Sequence, residues 1–137
     1  MIVADTGAIV ALVDARDKHH AAMVELFEHD PGAWVLPWAI LPEVDYLLLR
    51  HVSARAEQAF LADLAAGAFA VEWGEEADLD RANALCAKYR ALELGLVDGV
   101  VIAVAERLRA RAIATLDVRD FGAVDIIGTP GLLPRDS

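Results

Sequence analysis

Four acidic residues stand in surroundings where a folded domain seldom leaves a charge without a task. Asp5 closes the apolar run Ile2-Val3-Ala4, and Asp117 comes just after Ile113-Ala114-Thr115. Glu43 follows Pro42 at the head of a helical pattern, and Asp98 sits between Val97 and the run Val100-Val101-Ile102. A charge in such a setting has to be exposed, capped or paired. Carboxylates brought to contact distance repel and raise one another's pKa values. A hard divalent cation, Mg²⁺ or Mn²⁺, removes that penalty and takes their oxygens as ligands. It can then activate a water and neutralise charge on a phosphate being displaced. Taken singly, each acid has a plainer reading. Asp5 and Asp98 serve as caps, Glu43 as a first-turn acid favoured by the helix dipole, and Asp117 as a turn residue. The metal chemistry gains its force from the four together.

The elements that must position these acids follow from hydrophobic periodicity. Residues 2–4 read as a first strand ending at Asp5, with Gly7 easing the exit. Short helices are expected over 8–13 and 19–29, the second stopped by Asp30-Pro31-Gly32. Trp34-Val35-Leu36 reads as a second strand, ended by Pro37. Helices are predicted over 39–49, with Pro42 in its first turn, and from Ser53 as cap to about residue 65. Residues 69–73 alternate like a third strand. Helices follow over 75–91 and 97–107, then strands over 113–115 and 124–127, with a loosely held tail from Pro130. Strands alternating with helical stretches predict one α/β/α domain over residues 1–137, with a mainly parallel central sheet. In such sheets ligands collect beyond the carboxyl ends of strands, where Asp5 and Asp117 fall.

The composition is 57% hydrophobic and 25% charged, which is rich enough to build a packed core and leaves apolar surface for a partner. The net charge of -10 opposes nucleic-acid binding unless bound cations reverse it locally. The lone Cys86 cannot form an internal disulfide, the longest apolar stretches fall short of a membrane span, and no stretch reads as a targeting segment. A cytoplasmic protein without membrane attachment is expected.

Several stretches also have a familiar order. Ile2-Val3-Ala4-Asp5-Thr6, Ile40-Leu41-Pro42-Glu43-Val44, Leu94-Gly95-Leu96-Val97-Asp98-Gly99 with its apolar continuation to Ala105, and Ala114-Thr115-Leu116-Asp117-Val118-Arg119-Asp120-Phe121 succeed one another at characteristic spacing. In this the chain resembles the PIN-domain nucleases, and among them the small VapC-like toxins of toxin–antitoxin pairs. Asp17 and His20, ahead of an Ala-rich helix, are similar to that family's loop after its first helix. The resemblance covers almost the whole chain. It implies a Mg²⁺- or Mn²⁺-dependent endoribonuclease that cuts structured RNA such as transfer or ribosomal RNA, a cognate antitoxin that masks the site, and a homodimer. The metal ligands it implies are Asp5, Glu43, Asp98 and Asp117. Asp120 competes with Asp117 for the fourth place; Asp117 is favoured because it comes directly after the strand and follows Thr115. Two departures stand out: Gly7 where many relatives have Ser, and Gly99 where Ala is commoner.

Thr6 and Thr115 are candidate hydrogen-bond donors to a ligand carboxylate or a phosphate, or are structural. Arg107, Arg109, Arg111 and Arg119, with Lys88 and Arg90, are the best basic group for RNA phosphates, or solvated helix ends. Trp34 and Trp73, in or beside apolar strand runs, read as core, and Trp38, near the second acid, as site rim or partner groove. His19 and His20 read as packing or cap residues. Two rivals remain: a catalytically inactive PIN-like binding module, and a metal-dependent phosphatase-type hydrolase. The second is disfavoured because residue 7 is Gly where that chemistry wants another Asp.

Overall fold

The structure is a computed structural model that describes residues 1–137. Five strands form one sheet: β1 (Ile2–Ala4), β2 (Trp34–Pro37), β3 (Ala70–Glu72), β4 (Ala112–Ala114) and β5 (Gly131–Leu133). Their spatial order is β3-β2-β1-β4-β5, and every neighbouring pair is parallel. Parallel neighbours need crossovers, supplied by α1 (Thr6–Val13), α2 (His20–His29), α3 (Leu41–Leu47), α4 (Ala54–Ala65), α5 (Glu76–Lys88), α6 (Leu96–Arg107) and α7 (Val118–Ala123). The chain runs outward from β1 to β3, then returns past β1 to β4. With right-handed crossovers this places α1–α4 on one face and α5–α7 on the other. The α/β/α expectation is met.

Local chemistry explains the boundaries. Pro42 falls in the first turn of α3, where its missing N–H costs nothing. A π-helical turn, Leu48–Val52, ends that segment, and the Ser53 hydroxyl accepts the Ala56 N–H at 3.0 Å to start α4. Helix α6 is buried continuously from Gly99 to Ala105, so it is apolar all round. It packs against β1 and β2 on one side and against α5 on the other. A Cβ on Gly99 would stand 3.1 Å from the Ala82 Cβ and 3.2 Å from its Cα. The glycine where Ala is commoner therefore lets α5 lie close on α6. No helix is long and apolar enough to cross a membrane.

The fifth strand is not where periodicity placed it. Val124 and Ile126 are buried and alternate with exposed Asp125 and Ile127, which imitates a strand. Those residues only plug the core. Gly128 and Thr129 take φ of 86° and 44° and turn the chain, so that Gly131–Leu133 pairs with β4 instead. The expected loose tail is thus the edge strand. The Asp136 carboxylate accepts the Leu132 N–H at 2.7 Å and fastens it. Glycine and proline around a three-residue strand concealed it from a pattern search.

Candidate active site

The direction of the connections reverses between β1 and β4, and in open parallel sheets the crevice at such a point is where ligands bind. Asp5 follows β1 there, and Thr115 follows β4. Asp5 is the N-cap of α1: its carboxylate accepts the Thr6 N–H at 2.8 Å through one oxygen and the Thr115 hydroxyl at 2.9 Å through the other. The Thr115 oxygen in turn accepts the Asp117 N–H at 3.0 Å. One fully buried hydroxyl therefore ties the end of β1 to the loop after β4. Asp117 caps α7, a helix absent from the periodicity, by accepting the Asp120 N–H at 3.1 Å.

Glu43 stands exposed in the first turn of α3, and half-buried Asp98 in the first turn of α6. Asp5, Glu43, Asp98 and Asp117 all line one open cavity of about 520 Å³, together with Thr6, Gly7, Leu47 and Leu116. Six waters at about 30 Å³ each occupy less than half of that, so a hydrated cation and a phosphate fit together. Asp120 does not line the cavity.

The acids sense one another. Burial pushes the Asp98 carboxyl up to about 6, with the charges of Asp5, Asp117 and Glu43 adding to it, while the Gly95 N–H pulls the other way. Burial likewise raises Asp5, against the hydrogen bonds from Thr6 and Thr115, with Asp117 and Glu43 raising it further. No three carboxylate, imidazole or thiol groups stand close enough to enclose a metal ion as they are placed. The cavity nevertheless offers only hard oxygen donors, which suit Mg²⁺ or Mn²⁺. The buried Thr6 hydroxyl, also at its wall, has no hydrogen-bond partner.

The chain matches the family model of the PIN domain over residues 2–127. This is a PIN-domain protein. Ribonuclease VapC26 of Mycobacterium tuberculosis is 35% identical to this PIN domain over 127 residues, which span 93% of the chain and 94% of that protein. The PIN domain is thus homologous to VapC-family toxins of type II toxin–antitoxin systems. Among solved structures, VapC20 of M. tuberculosis, described as a sarcin–ricin-loop-cleaving toxin, superposes with a TM-score of 0.82 at 22% identity, over 95% of this chain and 99% of its own. A toxin–antitoxin complex from Klebsiella pneumoniae gives 0.70 at 21% identity, over 97% and 96% of the two chains. FitAcB from Neisseria gonorrhoeae gives 0.65 at 17%, over 96% of each chain. At these identities the three structures speak for the fold alone.

Other candidate residues lie elsewhere in the PIN domain. Arg107 is occupied by Glu72 at 2.8 Å, Asp78 at 2.8 Å and Glu75 at 3.5 Å. Arg109 and Arg111 precede β4 and so sit at the amino edge of the sheet, opposite the acids, and Arg119 is next but one to Asp117. None of these arginines, nor Lys88 or Arg90, lines the cavity. His20 donates from Nδ1 to the Ala11 carbonyl at 2.9 Å and packs α2 against α1. Trp34 is core, but Trp73 is 74% exposed, because β3 ends one residue before it and it projects past the sheet edge.

Proposed function

We propose that this PIN domain is a metal-dependent endoribonuclease and the toxin of a toxin–antitoxin pair. The observation that carries the reading is the convergence of Asp5, Glu43, Asp98 and Asp117, from four separate segments, on one cavity at the switch point of the sheet. Asp5, Glu43 and Asp98 would hold Mg²⁺ or Mn²⁺ directly or through water, with Asp117 completing the set or orienting the nucleophilic water. The ion, when bound, supplies an activated water and charge neutralisation at the phosphate. Thr115 keeps one Asp5 oxygen hydrogen-bonded and holds the Asp117 loop at a fixed height above it. The half-buried position of Asp98 lowers the dielectric around its own carboxylate and strengthens the hold that carboxylate would have on a cation. Water attack gives a 5′-phosphate and a 3′-hydroxyl.

The partners on this reading are an RNA substrate, a cognate antitoxin that covers the acids, and a second copy of the chain, in the cytoplasm. The match to a ribonuclease at 35% identity supports RNA, and transfer RNA and the sarcin–ricin loop of ribosomal RNA are the first substrates to try. The test is cleavage of a mixed pool of total and transfer RNA by antitoxin-free protein with Mg²⁺ or Mn²⁺, with EDTA, and with Asp98→Asn. Discrete metal-dependent products that vanish in the variant uphold the reading. One observation favours a non-catalytic binding module: the acids stand too far apart to enclose an ion as placed. Folded, metal-loaded protein that cleaves nothing in the pool moves the conclusion there.

A further inference from the structure

Two tryptophans at the carboxyl edge of the sheet are used neither by the core nor by the acid cavity. The β2–β3 ladder ends on the pair Pro37 and Glu72, so Trp38 and Trp73 stand side by side one step beyond it. The pairings Val3–Val35 and Ala4–Ala114 carry the same level across the sheet and put Thr115, Asp5, Pro37 and Glu72 in one row. At about 4.8 Å per strand, Trp38 is displaced about 5 Å and Trp73 about 10 Å sideways from Asp5. Both indoles line one groove of about 320 Å³ with Leu79 and Val100, and Val100 is two residues along α6 from Asp98. Trp38 is held in place. Gly74, at φ 89°, lies so near that a Cβ there would stand 2.9 Å from the Trp38 Nε1. Trp73 beside it is 74% exposed and offers its ring face to a ligand.

The groove's charged groups are all carboxylates: Glu75, Glu76 and Asp78. Arg107 already binds Glu75 and Asp78, and leaves Glu76 unpaired. Such a lining repels phosphate but complements a flat, neutral ring that carries amino donors. Adenine, cytosine and guanine offer an exocyclic amino group to a carboxylate, and every base offers a π face to an indole. A nucleotide flanking a phosphate held at Asp5 reaches this distance.

We propose that the Trp38–Trp73 groove is the subsite for an unpaired, amino-bearing nucleobase next to the scissile phosphate of the RNA substrate. The proposal rests on the nuclease reading above. Trp73 supplies the more exposed stacking face, Trp38 the one packed against Gly74, and Glu76 accepts the amino proton.

The test uses the full chain with Asp98→Asn, so that RNA persists, in Mg²⁺. Hexamers of adenosine, of uridine and of abasic ribose phosphate are titrated while tryptophan emission and the anisotropy of a labelled oligomer are read. The adenosine hexamer is expected to quench emission and bind most tightly, and the abasic one to bind weakly without quenching. Adding Trp73→Ala should weaken adenosine binding about tenfold, with Trp73→Phe restoring most of it. Adding Glu76→Gln should narrow the preference for adenosine over uridine. Trp73 is exposed, so an unchanged melting temperature excludes misfolding. Equal binding of the abasic hexamer, or unchanged affinity in Trp73→Ala, overturns the subsite. If Trp73→Ala instead weakens only the hold of purified antitoxin, the groove belongs to a protein partner and the proposal falls. RNA cleavage by Trp73→Ala in the Asp98 background, with unaltered KM, removes the subsite and leaves the nuclease standing. A parent protein that neither cleaves nor binds removes both.

Discussion

Asp98 allows the electrostatics of the cavity to be tested without any substrate. Its carboxyl is held at about 6 against a usual 3.8, by burial first and by its three acidic neighbours next. At about 1.4 kcal/mol per tenfold, that difference corresponds to about 3 kcal/mol. The side chain is only half-buried, so solvent screening cuts this to about 1 kcal/mol. The sign follows from linkage. The folded state holds the Asp98 proton more tightly than the unfolded chain, so metal-free protein loses stability as pH rises from about 4 to about 6 and stays lower above that. Asp98→Asn removes the ionised charge. In EDTA at pH 7.5 the variant should therefore melt higher than the parent by about 3–5 °C for a chain of this length, with almost no difference at about pH 3.5, below both carboxyl values. Mg²⁺ should raise the parent's melting temperature at pH 7.5 and raise that of Asp98→Asn far less. The competing effect is the loss of an acid from the first turn of α6, which costs about 0.3–1 kcal/mol. If the variant melts lower at pH 7.5, or if the difference is the same at both pH values, the capping role outweighs the repulsion and the argument for a strained acidic cluster is wrong.

Thr115→Val deletes the hydroxyl shared by Asp5 and the Asp117 amide, and should cost about 1–3 kcal/mol in urea unfolding; Thr115→Ser should recover most of it, and Mn²⁺ titration calorimetry should show weakened binding in the valine variant only. Gly99→Ala gains about 1 kcal/mol of helix propensity but pushes a methyl into Ala82, at about 1–3 kcal/mol, so thermal unfolding should show net destabilisation although the residue is commoner there. Arg107→Ala leaves buried Asp78 without its guanidinium and should destabilise the fold by about 2–3 kcal/mol in denaturant unfolding, whereas Asp80→Ala on the exposed face of the same helix should be silent.

Much of this is readable from residue order, and the exceptions share a cause. Strands β1 to β4 and the longer helices have enough periodic residues to show their pattern. Asp5 and Asp117 can be placed on one edge of the sheet because parallel strands share their polarity. The same polarity argument, applied to Arg109 and Arg111, sends them to the opposite edge from residue order alone. Strand β5 escapes because it is three residues long and framed by glycine and proline, while Val124 and Ile126 offer a false alternation. Trp73 defeats the pattern because a tryptophan one residue beyond an edge strand has the same sequence neighbours as one inside it. The bridging hydroxyl of Thr115 is visible only as a candidate, since it depends on the register between two segments 110 residues apart.

That separation sets a timetable for synthesis. Asp5 is made 110 residues before the Thr115 hydroxyl that orients it, and before the Asp117 that faces it. The Thr115 N–H is itself satisfied by the Leu133 carbonyl, on the last strand of all. A nascent or prematurely terminated chain that lacks β5 has its acids already made and no fixed place to hold them. The cavity therefore takes its final shape only once the polypeptide through β5 is free to fold, long after Asp5 itself was made.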